Sequence, residues 1–259
     1  MTLDVLICTL DKGILRVPKV ILPPMEGVLW VVSMQYTDKQ YLDLVPTSLT
    51  EREDIVLTCI EGKGLSRNRN NALLHAQGDI LVIADDDCQY TAEGLQTVRK
   101  TYELNPSANI ILFKSSLQKF FPDRPTPYRT AFEQGYYPSS VEMTLRRGLG
   151  LRFDERFGLG SQHLSAGEES VFLKDAENAQ YTIVCIPQLL ATTPASAATD
   201  NLLTDKRLQR TKGAVFRYLF GTAAAIWRCI KETGYHTVHS HANPLPLLYN
   251  LLRGIWILQ

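Results

Sequence analysis

Residues 79–90 read DILVIADDDCQY, an apolar run that stops abruptly on three consecutive aspartates. A short apolar run of this kind suits a strand buried on both faces, and the acids place its carboxyl end at an edge open to solvent. Three adjacent carboxylates repel one another, and an unpaired buried charge is costly, so the arrangement is most easily held with a divalent cation among them. Mg2+ or Mn2+ fits, because these ions take oxygen ligands and bridge a few carboxylates to nucleotide phosphates. Alone, Asp85-Asp86-Asp87 reads equally well as a solvated acidic turn.

Further apolar runs at residues 3–10, 27–35, 55–60 and 109–114 join 79–84 as strand candidates, alternating with segments that can cover a parallel sheet. Open sheets of this type bind ligands beyond their strand carboxyl ends, which would gather Thr9-Leu10-Asp11, Gln35 and the acids at one crevice. Residues 14–26 hold Pro18, Pro23 and Pro24, so a short helix followed by a turn is expected. Residues 122–138 hold four prolines interleaved with Tyr128, Phe132, Tyr136 and Tyr137 and read as an irregular loop, its aromatics expected to pack it down rather than to stack on sugar rings.

Before the triplet, Lys63-Gly64-Leu65-Ser66-Arg67-Asn68-Arg69-Asn70 leads into an amphipathic helix with Gly78 at its end. The pattern G-x-S-x-x-R-N-x-A-L-x-x-A-x-G-D-I-x-x-x-x-D-D-D resembles the nucleotide-sugar-binding half of inverting family 2 glycosyltransferases. The resemblance implies an α/β GT-A fold, a Rossmann-like, mostly parallel sheet with helices on both faces. It implies that Arg69 stands beside the donor, that Asp85 and Asp86 lie on the nucleoside side, and that Asp87 holds Mn2+ or Mg2+ on the diphosphate. A second stretch, Phe153-Asp154-Glu155-Arg156-Phe157 followed by Gly167-Glu168-Glu169, is similar to the family's F-D-E-x-F and G-E-D segments. Glu169 takes the place of the aspartate and would be the catalytic base, with Glu168 binding the acceptor. Glutamate for aspartate leaves open which acid is the base; without the family, the pair is an ordinary helix start. Thr9, Leu10 and Gln35 inherit the base pocket, although the usual V-D-D-G-S after the second strand is here Val31-Val32-Ser33-Met34-Gln35. Gln35 has both a donor and an acceptor for a uracil edge, and equally suits a turn. The resemblance covers roughly residues 1–190.

The 259 residues carry zero formal net charge and are 45% hydrophobic, enough for a sizeable core and against a whole-protein electrostatic grip on nucleic acid. Five scattered cysteines without a C-x-x-C, and a start without the layout of a secretory signal, point to the cytoplasm. Cys8 and Cys185 fall in apolar runs and are expected to pack, while Cys88, beside the acids, is a candidate for a reachable thiol.

Residues 201–259 differ from the catalytic stretch, 1–200, in carrying eight cations against only Asp205 and Glu232, a local charge of +6. Val215, Leu219, Ala223, Ile226, Trp227 and Ile230 recur at helical spacing. This extension reads either as helices packed on the catalytic domain or as a basic amphipathic segment on an anionic membrane surface, peripheral on the inner face. His236, His239 and His241 are expected to be solvated or interfacial rather than metal ligands.

The expected activity is an inverting, metal-dependent transfer of one sugar from a nucleotide-diphosphate sugar, with a UDP-sugar the expected donor. A saccharide or glycolipid would accept it, as in cell-surface polysaccharide assembly. No Q-x-x-R-W motif of processive relatives occurs. The alternatives are a sugar nucleotidyltransferase, for which Lys12-Gly13 is too little of an activating loop, and a non-catalytic nucleotide-sugar-binding domain of the same fold.

Overall fold

The computed structural model describes residues 1–116, 118, 120–194 and 202–258. Contacts divide the chain into two compact units: Met1–Lys63, Arg67–Arg152 and Asp175–Ala195 in the first, and Gly64–Ser66, Phe153–Lys174 and Ser196–Gln259 in the second. The sequence boundary at 200 falls outside the described residues, and the second unit also draws in the F-D-E and G-E-E segments.

The first unit is built on an eight-stranded sheet: β1 Leu3–Leu10, β2 Val28–Tyr36, β3 Ile55–Glu61, β4 Ile80–Asp85, β5 Ile110–Ser115, β6 Thr126–Pro127, β7 Met143–Arg146 and β8 Ile183–Ala191. Their order is β3-β2-β1-β4-β7-β5-β8-β6. The first four pair in parallel, because each is an apolar run linked to the next by a crossover rather than a hairpin; β1, β2 and β4 are buried on both faces, and β3 is the half-buried edge strand. β7 enters antiparallel between β4 and β5, and β6 lies antiparallel on β8. Tyr102, on helix α2 (Ala92–Leu104), supports β7: its hydroxyl lies 3.0 Å from Thr144 Oγ1 and accepts the amide of Ile111 at 3.1 Å.

The main core gathers Val5 and Ile7 of β1, Trp30, Val32 and Met34 of β2, and Val82 and Ala84 of β4 on one face, under Ile14 and Val17. The alternate residues of β2, Val31, Ser33 and Gln35, therefore face the other side, where helix α1 (Leu65–His75) lies.

Helix α1 stops three residues before Gly78, because the amides of Gln77 and Gly78 are taken by the buried Asp4 carboxylate at 2.6 and 2.8 Å. The proline-rich stretch is not simply irregular. It contains β6 and a six-residue helix α3, Tyr128–Glu133, since its prolines fall outside the helix and leave its amides intact. Its aromatics pack as expected: Tyr128 and Tyr136 are buried, and Phe132 meets Tyr137 edge-on at 5.4 Å. Over residues 14–26 the chain forms no helix longer than 3-10 turns, the end of one at Asp11–Leu15 and a second at Val17–Lys19. Cys88 is not reachable: it is 1% exposed in the core, and burial, reinforced by Asp85, pushes its thiol up to about 12.

In the second unit, helix α4 (Glu168–Asn178) begins, and helices α5 Lys206–Phe220, α6 Thr222–Ser240 and α7 Pro244–Ile255 form a small bundle. Phe216, Ala225, Cys229, Leu247, Leu251 and Ile255 fill its core. α5 and α7 cross at reciprocal glycines. A Cβ on Gly213 would sit 1.9 Å from the Leu251 carbonyl oxygen, and one on Gly254 would sit 1.9 Å from that of Arg210. Among the described residues, no helix is long and apolar enough to cross a membrane.

Candidate active site

Strand β4 delivers the triplet, and neighbouring residues are held from different elements because successive side chains leave a strand on opposite faces. Asp85, the last strand residue, turns towards α1, where Arg69 Nη2 lies 3.3 Å from its carboxylate and donates to Ser140 Oγ at 2.6 Å. Arg69 is 1% exposed, so its guanidinium is kept out of water by counter-charge and hydrogen bonds. Asp86 turns the other way. It accepts from Thr9 Oγ1 at 2.5 Å and forms an ion pair of 2.6 Å with Arg16, which follows the first 3-10 turn. Asp87 is exposed. Its carboxyl is held above the ordinary aspartate range by partial burial and by the negative charges of Asp85 and Asp86, partly offset by Arg16.

The strand ends are pinned by a polar network. Asn68 Nδ2 donates to the Thr9 carbonyl at 2.9 Å, Ser33 Oγ to Asn68 Oδ1 at 2.5 Å, and Asn71 Nδ2 to Ser33 Oγ at 2.8 Å and Thr58 Oγ1 at 3.2 Å. Helix α1 thereby grips β1, β2 and β3 at once. Asp11 ties the first two ends from beyond, accepting the Thr37 amide at 2.7 Å and its hydroxyl at 2.9 Å.

Gln35 is in register with Leu10 and Ile60, is 2% exposed, and its buried Nε2 has no hydrogen-bond partner among the described residues. A buried amide donor without an acceptor is costly and suits a ligand oxygen. Thr9, Leu10, Gln35, Arg69 and the three aspartates thus lie together along the carboxyl edge of β1, β2 and β4. Thr9 is 3% exposed with its hydroxyl on Asp86, whereas Leu10 is 43% exposed.

Sequence reasoning passed over Glu142. Fully buried, it accepts from Ser115 N and Oγ at 3.2 and 2.8 Å, Gln118 Nε2 at 3.2 Å, Tyr136 hydroxyl at 2.9 Å and Ser139 N at 3.0 Å. This carboxylate anchors the proline-rich stretch to the end of β5. Burial and its charge raise the Tyr136 phenol well above the usual tyrosine range.

In the second unit, Gly167 precedes α4 with φ of 88°, and a Cβ there would meet Val215 Cγ2 at 2.4 Å, so only glycine fits this entry. Glu168 is buried, its carboxyl within 3.1 Å of where a Gly158 Cβ would stand, while Glu169 is half-buried on the same first turn. In the F-D-E segment, Phe153 stacks on Phe172 at 4.5 Å and Phe157 meets Tyr218 edge-on at 5.9 Å. Burial would raise the Asp154 carboxyl, but hydrogen bonds and charge from Arg156 outweigh it and hold the group below its usual range. His236 bonds Glu232 at 3.0 Å and His239 stacks on Tyr235 at 4.3 Å.

Among the described residues, no group of three or more His, Cys, Asp or Glu side chains is placed to hold a metal by itself. The donor set at the strand end is smaller. It consists of the exposed Asp87 carboxylate, held near other negative charge, with Asp85 two residues before it beside Arg69 and Asp86 engaged by Arg16. That set fits an ion that takes its remaining oxygens from a diphosphate and water, as Mg2+ and Mn2+ do.

These features define an open α/β sheet of the GT-A kind with an acidic strand end. Residues 50–149, which hold Arg69 and the aspartate triplet, match the family model "Glycosyl transferase family 2". Among solved structures, the chain is similar to Staphylococcus aureus TarS (16% identity, TM-score 0.56), covering 92% of this chain and 44% of that one. It is also similar to the mannosyltransferase PcManGT from Pyrobaculum calidifontis in complex with GDP-Man and Mn2+ (15%, TM-score 0.55), over 98% of this chain and 70% of that one. A third is glucosyl-3-phosphoglycerate synthase from Mycobacterium tuberculosis in complex with Mn2+, UDP and phosphoglyceric acid (12%, TM-score 0.53), over 85% and 78%. At these identities the likeness is one of fold. The chain spans less than half the length of TarS. A search of curated protein sequences returned no match.

Proposed function

We propose that the chain transfers one sugar, with inversion, from a nucleotide-diphosphate sugar to a saccharide or lipid-linked saccharide, with a UDP-sugar as donor. The observation that carries this reading is the strand edge where Gln35 keeps a buried amide donor with no partner among the described residues, along the same edge as an acidic triplet whose Asp87 carboxylate is exposed. Gln35 suits the oxygen of a uracil edge, Asp85 the nucleoside side, and Asp87 a divalent cation on the diphosphate. Bound there, such a cation neutralises the charge that develops on the departing diphosphate.

In the proposed displacement, the acceptor hydroxyl oxygen forms a bond to the anomeric carbon. The bond from that carbon to the diphosphate oxygen breaks, with its electron pair leaving on the diphosphate. Glu169 takes the hydroxyl proton and Glu168 orients the acceptor by a hydrogen bond.

Calorimetry with UDP in the presence of Mn2+ tests the donor reading. Binding should require the cation, and Asp87→Ala should abolish that dependence with circular dichroism unchanged. UDP affinity indifferent to Mn2+ and to chelator would remove the metal assignment; absence of UDP, GDP and ADP binding alike would remove the donor reading.

A further inference from the structure

The large apolar side chains of helix α6 point the wrong way for a bundle helix. Its buried positions are Ala225, Cys229 and Thr233, small residues at i, i+4 and i+8. Trp227, Ile230 and Val238 are instead 67%, 47% and 70% exposed. At about 100° per residue, these three fall with the exposed Ala223 and Gly234 in an arc of about 80° on the side away from the bundle core. Exposed Lys231 lies at the edge of this arc. A helix usually buries its bulky face and exposes its small or polar one. Here the order is reversed, with the stripe left in solvent.

Charge decides what covers it. The two acids of the described carboxyl-terminal residues are already engaged within their own segment. Asp205 caps α5, accepting the amides of Arg207 and Leu208 at 2.7 and 3.2 Å, and Glu232 pairs with Lys212 and His236. A second copy meeting this one through the same segment would set +6 against +6, with both of its described acids already engaged. An anionic surface would be complementary, and a tryptophan among aliphatic residues with lysine at the margin suits the boundary between headgroups and acyl chains.

We propose that α6 lies in the plane of an anionic lipid surface, with Trp227, Ile230 and Val238 seated among the acyl chains and Lys231 at the headgroups. The arrangement needs no spanning helix, and it stands apart from the donor chemistry of the sheet. It would hold the protein where a lipid-linked acceptor is found.

The test is co-sedimentation of the full chain with pure phosphatidylcholine vesicles and with vesicles doped with phosphatidylglycerol. Binding is expected to the doped vesicles alone, weakened by high salt. In a Trp256→Phe background, the emission of Trp227 should shift to the blue on binding, since Trp30 is already buried. The triple change Trp227→Ser, Ile230→Ser and Val238→Ser, all at exposed positions, should cut vesicle binding at least about tenfold while UDP binding with Mn2+ is retained. The proposal is overturned if the unchanged protein ignores anionic vesicles, or if the triple variant binds them as well. A concentration-dependent dimer in sedimentation velocity that the triple change dissolves would overturn it in favour of a second copy. Lost UDP binding with vesicle binding intact would strike the proposed transfer reaction and leave this surface standing.

Discussion

The sheet and helix α6 place their bulky residues in opposite senses. In the sheet, Trp30 and Phe113 are sealed in the interior and the rim is left to carboxylates, a glutamine and a threonine. In the bundle, α6 seals alanine, cysteine and threonine inside and sets tryptophan, isoleucine and valine outside. Side-chain size therefore tracks burial in one region and runs against it in the other. At the sheet edge the outward carboxylate of Asp87 is the group proposed for chemistry, and on α6 the outward apolar groups are the surface proposed for lipid.

The strongest way to break this contrast is to truncate one tryptophan in each region. Trp30→Ala should destabilise the protein by about 3–5 kcal/mol in urea unfolding, because a fully enclosed indole is replaced by a cavity. A cost below about 1 kcal/mol would mean that the sheet core is far looser than its burial implies. The next effect is chemical. Glu169→Gln keeps the shape of the α4 start and removes basicity, so turnover should fall by about a hundredfold with donor binding nearly unchanged. If Glu168→Gln is the variant that loses turnover, the base is the neighbouring residue.

A smaller effect is in pH. The Asp87 carboxyl is raised in the folded protein, so the folded state binds that proton more tightly than the unfolded chain. The stability contributed by its protonation is lost as pH rises through the raised value. A cation needs the carboxylate, so Mn2+ affinity with UDP should climb through the same window and level off above it. Arg16→Gln removes a cation that lowers this pKa, and the midpoint of the affinity profile in calorimetry should move to higher pH. An unmoved midpoint would assign the pH dependence to another group. Smallest of all, Trp227→Ala should change unfolding stability by no more than about 0.5 kcal/mol, the usual cost at an exposed position. A loss comparable to that of Trp30→Ala would show that this ring packs against protein.

The first five strands were legible because each is an uninterrupted apolar run, and run lengths place their ends within a residue or two. β7 was not, since the four residues Met143–Arg146 carry no period, and β8 was not, since Pro187 interrupts its apolar run. α2 left a signal unread: Thr91 caps it by accepting the Gly94 amide at 3.0 Å. At the strand edge, the aspartates and Arg69 were readable as a motif. Ser33, Asn68 and Asn71 were not, because their joint role depends on the register of three segments distant in sequence. Ser33 did carry a hint, as the one hydroxyl in an apolar run. Glu142 gave none, for its five donors come from residues 115–139 folded around it.

The tethering of Asp85 to Arg69 and of Asp86 to Arg16 has a kinetic corollary. With its two predecessors fastened by different arms of the chain, the peptide carrying Asp87 has little freedom left to lose, so capture of a cation and its diphosphate would require almost no rearrangement of protein. If the proposed donor binds there, its association would be governed more by how fast the ion sheds water than by movement of the peptide that carries Asp87.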